Sequence, residues 1–489
     1  STDTFDSIEW LLKNVKGHNG RVGQSGISYP GFNTAAGMID AHPALKACSP
    51  QAPVIDWFVG DDFHHNGCLF LPHAFNFMSG FGKERPEPTR KGARVSHDHE
   101  TPDGYQFFLD MGPLANADKK FLKGGISFWK EMMNRGTYDD MWQSMNLRPH
   151  LKNIKPAVMT VGGWFDAENL FGALECYAST ERQSPGCDNT LVMGPWDHGG
   201  WSRGPGDSLG NARFNSKTAE YFREYIEFPF FEFHLKDIPS RKQPEAHVFE
   251  TGTNVWRKYD AWPPKDSKSL TFHFQDKGGL ASSTPANDAF DSYISDPSKP
   301  VPYMERITTK MDYEYMVADQ RHAARRPDVL VYQTSELKDD LTLAGPVKVD
   351  LWVSTTGTDA DWVVKVIDVF PNDYPDYEPN PAGVRMGNYQ MLIRGEPFRG
   401  KFRNSFSKPE PFEPNKPTKV SFPMPDICHT FRPGHKLMVQ VHSTWFPLVD
   451  RNPQKFCDIY SALESDFSTQ THRIHRSVEM PSGITVRVK

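Results

Sequence analysis

The pattern of apolar and polar positions changes period twice within the first forty residues. Phe5, Ile8, Leu12 and Val15 recur at spacings of three, four and three, which predicts an amphipathic helix with Thr2, Asp3 and Thr4 as candidate caps. Arg21-Val22-Gly23 leads in as a short strand, and Phe32, Ala35, Ala36 and Ile39 return to helical spacing. Between them lies Gly26-Ile27-Ser28-Tyr29-Pro30-Gly31, a G-x-S-x-G pattern with one extra residue before its last glycine. Ser28 is therefore expected on a strained strand-to-helix turn, its hydroxyl held out beyond the sheet with a helix N-terminus behind it. Pro30 fits the first helical turn, where its missing N–H costs little.

Further along, the pattern predicts a strand around Ala47 to Ile55. From Gly67 to about His150 it turns helical and irregular, with the aromatic and methionine side chains of helices between Leu109 and Trp142. Ala157-Val158-Met159-Thr160-Val161 and Thr190-Leu191-Val192-Met193 are short apolar strands, and Phe222 to Leu235 reads as a closing helix. From His247 onward the chain is β-rich and full of prolines. Val347, Val349, Leu351 and Val353 alternate with Lys348, Asp350, Trp352 and Ser354; Leu437, Val439 and Val441 alternate likewise, as do Ile484, Val486 and Val488. Many short strands with Gly/Pro turns and no regular repeat predict a two-sheet sandwich of the jelly-roll kind. The expected organisation is an α/β core in two parts, residues 1–66 and 151–245, a helical cap over residues 67–150, and a β-domain over residues 246–489.

Each apolar strand of the second core part ends in an ionisable residue. Ala157–Val161 runs into Gly162-Gly163-Trp164-Phe165-Asp166, and Thr190–Met193 into Gly194-Pro195-Trp196-Asp197-His198. Open α/β sheets gather their chemistry past the C-terminal ends of their strands. The order serine, acid, histidine is that of a hydrolase triad, in which a buried carboxylate fixes the imidazole tautomer. Asp197 competes for the acid role, but it adjoins His198 on an extended segment, where neighbouring side chains point apart. The expected triad is Ser28, Asp166 and His198, with the N–H of Tyr29 as one oxyanion donor.

Ser28-Tyr29-x-Gly31, the Gly-Gly-Trp-x-Asp strand end and the Gly-Pro-Trp-x-His segment together resemble the X-Pro dipeptidyl-peptidase and cocaine-esterase superfamily of serine hydrolases. Within it the similarity is closest to the α-amino-acid ester hydrolases and the glutaryl-cephalosporin acylases. Asp61-Asp62-Phe63-His64-His65-Asn66-Gly67, Thr253-Asn254-Val255-Trp256-Arg257 with Trp262-Pro263-Pro264, and Phe446-Pro447-Leu448-Val449-Asp450-Arg451-Asn452-Pro453 carry it across nearly the whole chain. The resemblance implies an α/β-hydrolase core with a C-terminal jelly roll. It also implies an acyl-enzyme mechanism on esters or amides, and carboxylates at Asp62 and Glu168 that bind a substrate's α-ammonium group. The family pattern has a third carboxylate directly after Glu168, where this chain has Asn169. In the family, several strands and a loop tyrosine that completes the oxyanion hole precede the nucleophile. The expectation is therefore a core incomplete at its N-terminus, finished by a preceding segment or another chain.

Composition narrows the partners. The net charge of −6 gives no electrostatic reason to expect nucleic acid, and no run of 18 apolar residues spans a membrane. The six cysteines lie far apart without C-x-x-C, so buried free thiols are expected rather than a zinc site or disulfides. No cofactor is expected. His97-Asp98-His99-Glu100, with His64-His65, has metal-ligand chemistry but reads as a solvated polar loop. His42, His150, His234 and His435 read as surface or structural. The expected substrate is a small ester or amide; a glutaryl-type acylase, a carboxylesterase and an X-Pro dipeptidyl-peptidase are the neighbouring readings. A non-catalytic carbohydrate-binding protein using Trp352, Trp362 and Trp445 is the distant one. Self-association is left open. No signal peptide is visible, and a periplasmic or secreted location follows only if a lost N-terminal region carried one.

Overall fold

The computed structural model describes residues 1–81, Glu87, 97–238 and 243–489. Helix α1 (Thr2–Asn14) precedes strand β1 (Val22–Ile27), helix α2 (Tyr29–Gly37) and strand β2 (Leu45–Gln51). A hairpin of β3 (His64–His65) and β4 (Cys68–Leu69) enters the helical stretch α3 (Leu71–Phe81), α4 (Gly104–Met111), α5 (Ser127–Met133) and α6 (Asp140–Ser144). The chain returns to the sheet through β5 (Ala157–Gly163), α7 (Leu170–Gln183) and β6 (Asn189–Gly194). Next come the short strands β7 (Ser208–Leu209) and β8 (Ala212–Arg213), helices α8 (Thr218–Phe222) and α9 (Phe228–Lys236), and strands β9 (Ala246–Glu250) and β10 (Val255–Tyr259).

The main sheet has the order β1-β2-β5-β6-β9-β10, parallel up to β9 and antiparallel at β10. Strands β5 and β6 are buried along their whole length, as parallel strands in the middle of a covered sheet are, whereas β1 carries Gln24 and Ser25 and is only partly buried. Among the described residues β1 pairs with β2 alone, so the elbow strand lies at the sheet's edge.

Two boundaries differ from the sequence pattern. The strand expected to reach Ile55 stops at Gln51, because Ala52 takes a positive φ of 39° and turns the chain toward the site. The closing helix begins at Thr218, and a π-turn over Arg223–Glu227 joins α8 to α9; Pro229 has no N–H to donate and follows this wider turn.

The remaining strands form a seven-stranded antiparallel sheet around Leu341–Thr355 and a four-stranded one around Asp361–Val369. Val347, Val349, Leu351 and Val353 are buried as their alternation predicts, while Lys348 is exposed. One apolar cluster takes side chains from both sheets (Val349, Ile484, Val364, Val441) and also from the main sheet (Leu191, Met193, Val248), so the β-domain is packed firmly onto the hydrolase half. Trp362 and Trp445 are fully buried in that cluster and offer no face to a sugar; Trp352 is half-buried.

Candidate active site

Ser28 has φ 69° and ψ −127°, a conformation that non-glycine residues rarely hold and that costs on the order of 1–3 kcal/mol. The turn is possible because its neighbours lack side chains. A Cβ on Gly26 would stand 2.4 Å from Pro30 O, and one on Gly31 2.4 Å from Gln51 O. Ser28 N–H donates to Gln51 O at 3.0 Å, fixing the elbow to β2. Tyr29 opens α2, in the turn whose N–H groups have no intrahelical acceptors.

Asp166 and His198 follow β5 and β6, and two backbone bonds bring their loops together. Trp164 N–H donates to Gly194 O at 2.8 Å and Phe165 N–H to Trp196 O at 3.1 Å. Gly163 permits this approach, since a Cβ there would lie 2.2 Å from Trp196 O. His198 Nδ1 is 3.0 Å from both Asp166 oxygens, and Asp166 Oδ1 also accepts from the N–H groups of Glu168 (2.8 Å) and Asn169 (3.0 Å). A Cβ on Gly199 would stand 3.6 Å from Ile27 Cγ2, so the histidine loop lies against the end of β1 beside the serine. Asp197 turns away to Arg203, 3.2 Å off.

The other ring nitrogen of His198 meets a second carboxylate. Nε2 lies 3.3 Å from Glu168 Oε2, and no hydrogen bond joins it to Ser28. Glu168 Oε1 accepts from Tyr313 O–H at 2.6 Å, with His73 Nδ1 4.0 Å away. Asp62, at φ 49°, is tied to the same place: its N–H donates to Glu168 O at 3.0 Å, and its carboxylate accepts from Trp57 Nε1 (2.9 Å) and Asn169 Nδ2 (3.0 Å). The structure thus brings together Asp62, Asp166, Glu168, Asn169 and His198. Tyr29, Phe32 and Trp57 stack nearly parallel next to the elbow, with centroids 5.6–6.4 Å apart.

Burial and charge compete here. Burial alone would pull the His198 imidazole down, but Asp166, Glu168 and, further off, Asp62 outweigh it and lift the pKa to about 10. Burial pushes the Asp166 carboxyl up, yet His198 and the two backbone N–H groups hold it below its ordinary value. Asp62 is raised, by burial first, with His73 opposing and Glu168 adding to the rise. Burial and the adjacent Glu168 push the Tyr313 phenol well up, so it remains a donor.

Sequence reasoning missed His73, Tyr313 and Trp57. His73 sits on α3, and Tyr313 lies 145 residues from Glu168 in the β-domain. Asp61, adjacent to Asp62, was passed over too. Its buried carboxylate accepts from the N–H groups of Ile55 (2.7 Å), Asp56 (2.9 Å) and Gly172 (2.8 Å), and so ties the loop carrying Asp62 to α7.

Among the described residues, Asp62, His73 and Glu168 are the one group of three donors within 4.8 Å of one another, close enough for a small cation to sit among them. The loop at His97–Glu100 is solvated only in part, with Asp98 and Glu100 exposed and the two histidines half-buried. His97 meets Phe75 edge-on and His99 meets Phe107 edge-on, and burial lowers both imidazole pKa values, that of His99 to about 4. His64 and His65 do not join them: His64 is held by Tyr460 O–H (2.7 Å) and His65 by Glu396 (3.0 Å). All six cysteines are free thiols; Cys187 and Cys457 are only partly buried.

Residues 1–200 match the family described as X-Pro dipeptidyl-peptidase (S15 family), and residues 240–485 match the X-Pro dipeptidyl-peptidase C-terminal non-catalytic domain. An aminopeptidase from the marine sediment archaeon Thaumarchaeota archaeon superposes with a TM-score of 0.92 at 38% identity, over 100% of this chain and 80% of that one. An α-amino acid ester hydrolase superposes equally well, TM-score 0.92 at 35% identity, over 100% of this chain and 80% of its own. Cocaine esterase of Rhodococcus sp. (strain MB1 Bresler) is 25% identical over 99% of this chain and 83% of its length.

Proposed function

As the chain belongs to the X-Pro dipeptidyl-peptidase (S15) family and is a serine hydrolase of α/β-hydrolase fold with a β-rich C-terminal domain, we propose that Ser28, His198 and Asp166 are its catalytic triad and that it cleaves esters or amides whose acyl group carries a free α-amine. Ser28 Oγ attacks the carbonyl as His198 Nε2 takes its proton. The tetrahedral oxyanion is met by Tyr29 N–H, and the leaving group departs with the proton from Nε2. Water, or an amine such as a β-lactam nucleus, then resolves the acyl-enzyme. Asp166 orients the ring. We read the helices of residues 67–150 as a cap over the site and the two antiparallel sheets as a jelly roll that adds Tyr313 to it.

The observation that carries the substrate reading is the trio Asp62, His73 and Glu168 around one small space next to His198. An ammonium beside the reacting carbonyl requires compensating charge in a partly dry pocket. The α-amino acid ester hydrolase and the aminopeptidase among the similar structures support it, since both names specify an α-amino substrate. With Asn169 neutral, the preference is moderate.

Two measurements test the reading. A fluorophosphonate probe should label one serine, and Ser28→Ala should abolish the labelling. The kcat/KM of phenylglycine methyl ester should exceed that of phenylacetic acid methyl ester by roughly tenfold to a hundredfold. Asp62→Asn should remove most of this margin by slowing the amino ester. Equal loss on both esters would refute ammonium recognition and leave the triad standing.

A further inference from the structure

Glu168 occupies the atom that catalysis needs. His198 Nε2 must be unprotonated and turned to Ser28 Oγ to act as a base, yet it lies 3.3 Å from Glu168 Oε2 while Nδ1 holds Asp166. Glu168 is itself held in place from outside its own loop, by Tyr313 of the β-domain on Oε1 and by His73 of α3 nearby. It also borders the space among Asp62, His73 and Glu168, which we assign to the substrate ammonium. One carboxylate therefore faces two cationic partners.

We propose that Glu168 is a latch: it clamps His198 as an imidazolium in the empty site, and the substrate's ammonium takes over Oε2 and releases the ring to Ser28. The inference rests on the triad and ammonium assignments above. Its proton balance is simple. As the ammonium enters, the Nε2–H bond breaks and the proton leaves to bulk water, so one positive charge replaces another. The freed Nε2 lone pair then accepts the Ser28 Oγ proton as Oγ attacks. The groups facing His198 directly agree in sign: Asp166 and Glu168 at the ring, Asp62 behind them, and Asp197 paired with Arg203; the Tyr313 hydroxyl and the His73 imidazole lie on the far side of Glu168. The raised imidazole pKa follows from the same arrangement. A substrate without the amine must find the rare deprotonated enzyme, so the latch acts as a specificity filter as well.

Phenylalaninol, an amino alcohol protonated at pH 7 and without a scissile bond, is the probe. Its binding is measured by titration calorimetry in two buffers of different ionisation enthalpy, with 3-phenylpropanol as the control. Wild type should release close to one proton per phenylalaninol bound, and Glu168→Gln close to none. Binding without proton release would overturn the latch while leaving ammonium recognition intact. Failure to prefer phenylalaninol over 3-phenylpropanol would overturn the recognition and the latch with it. A second readout needs no variant. Wild-type kcat/KM for phenylacetic acid methyl ester should climb about tenfold per pH unit from pH 7 toward pH 10. Glu168→Gln should raise the pH 7 value about tenfold or more and flatten the climb. A flat wild-type profile would refute the latch.

Discussion

Two arrangements of hydroxyl, imidazole and carboxylate among the described residues differ in what is left unsatisfied. In the β-domain Thr251 Oγ1 is 2.8 Å from His429 Nδ1, and His429 Nε2 is 3.1 Å from Asp368, whose other oxygen is 2.8 Å from His435 Nδ1. Near the elbow, Asp166 and His198 make the corresponding contact at 3.0 Å, but no hydrogen bond joins Ser28 to the ring. Thr251 is buried and its hydroxyl also donates to Cys428 O. It has no helix N-terminus behind it and no strained turn presenting it. One carboxylate between two histidines braces strands together. One histidine between two carboxylates, as at Asp166–His198–Glu168, instead favours the protonated ring beside the elbow serine.

Substitutions should separate the two sites. The largest effect is expected from Ser28→Ala and His198→Ala, each lowering kcat on the order of 10⁴ to 10⁶ with the double variant little worse, because the residues act as a unit. Thr251→Ala and His429→Ala should leave the kcat of the folded enzyme essentially unchanged; a loss comparable to that of Ser28→Ala would move the active site. Asp166→Asn should cost on the order of 10⁴ in kcat while the fold persists, whereas Asp197→Asn should cost less than about tenfold. The reverse ranking in steady-state kinetics would transfer the acid role to Asp197.

Asp368→Asn should act on stability alone, costing on the order of 3 kcal/mol in urea unfolding, since a buried carboxylate loses both of its histidine partners. The smallest effect, read per pH unit, is in the pH dependence of stability. Below about pH 6.5 His198 is protonated in both folded and unfolded chains, and its contribution is fully present. Between there and about pH 10 only the folded chain keeps the proton, so stability should fall with rising pH, by at most about 1.4 kcal/mol per unit. Glu168→Gln should flatten that slope in urea midpoints measured from pH 7 to 9, and an unchanged slope would mean that Glu168 does not hold the imidazolium.

Much of this site is legible in the chain because its signals are local. Ser28 is marked by glycines two and three residues away and by a change of period, and backbone contact at Gly26 and Gly31 enforces that choice. Asp166 and His198 each end an apolar strand, and Gly163 is what lets their loops meet. The identity of the acid also rests on a local rule, that neighbours on extended chain diverge, and the turn of Asp197 toward Arg203 agrees with it. The strand pattern of the β-domain was readable for the same reason, since Val347 to Val353 alternate about a single buried face.

By itself the sequence determined the order of elements, the elbow and the strand ends that carry ionisable groups, because each depends on residues within one turn or one strand. Only the tertiary structure decided what surrounds Glu168. Tyr313 arrives from the β-domain, His73 from α3 and Trp57 from the loop after β2, and no periodicity connects residues as far as 145 positions apart. It also decided that His97 and His99 are half-buried against aromatic rings, and that Trp362 and Trp445 are core. The reason is common to all of these. Local pattern fixes which face of an element is apolar, but the charge and partners a side chain meets depend on which other elements the folded chain brings against it.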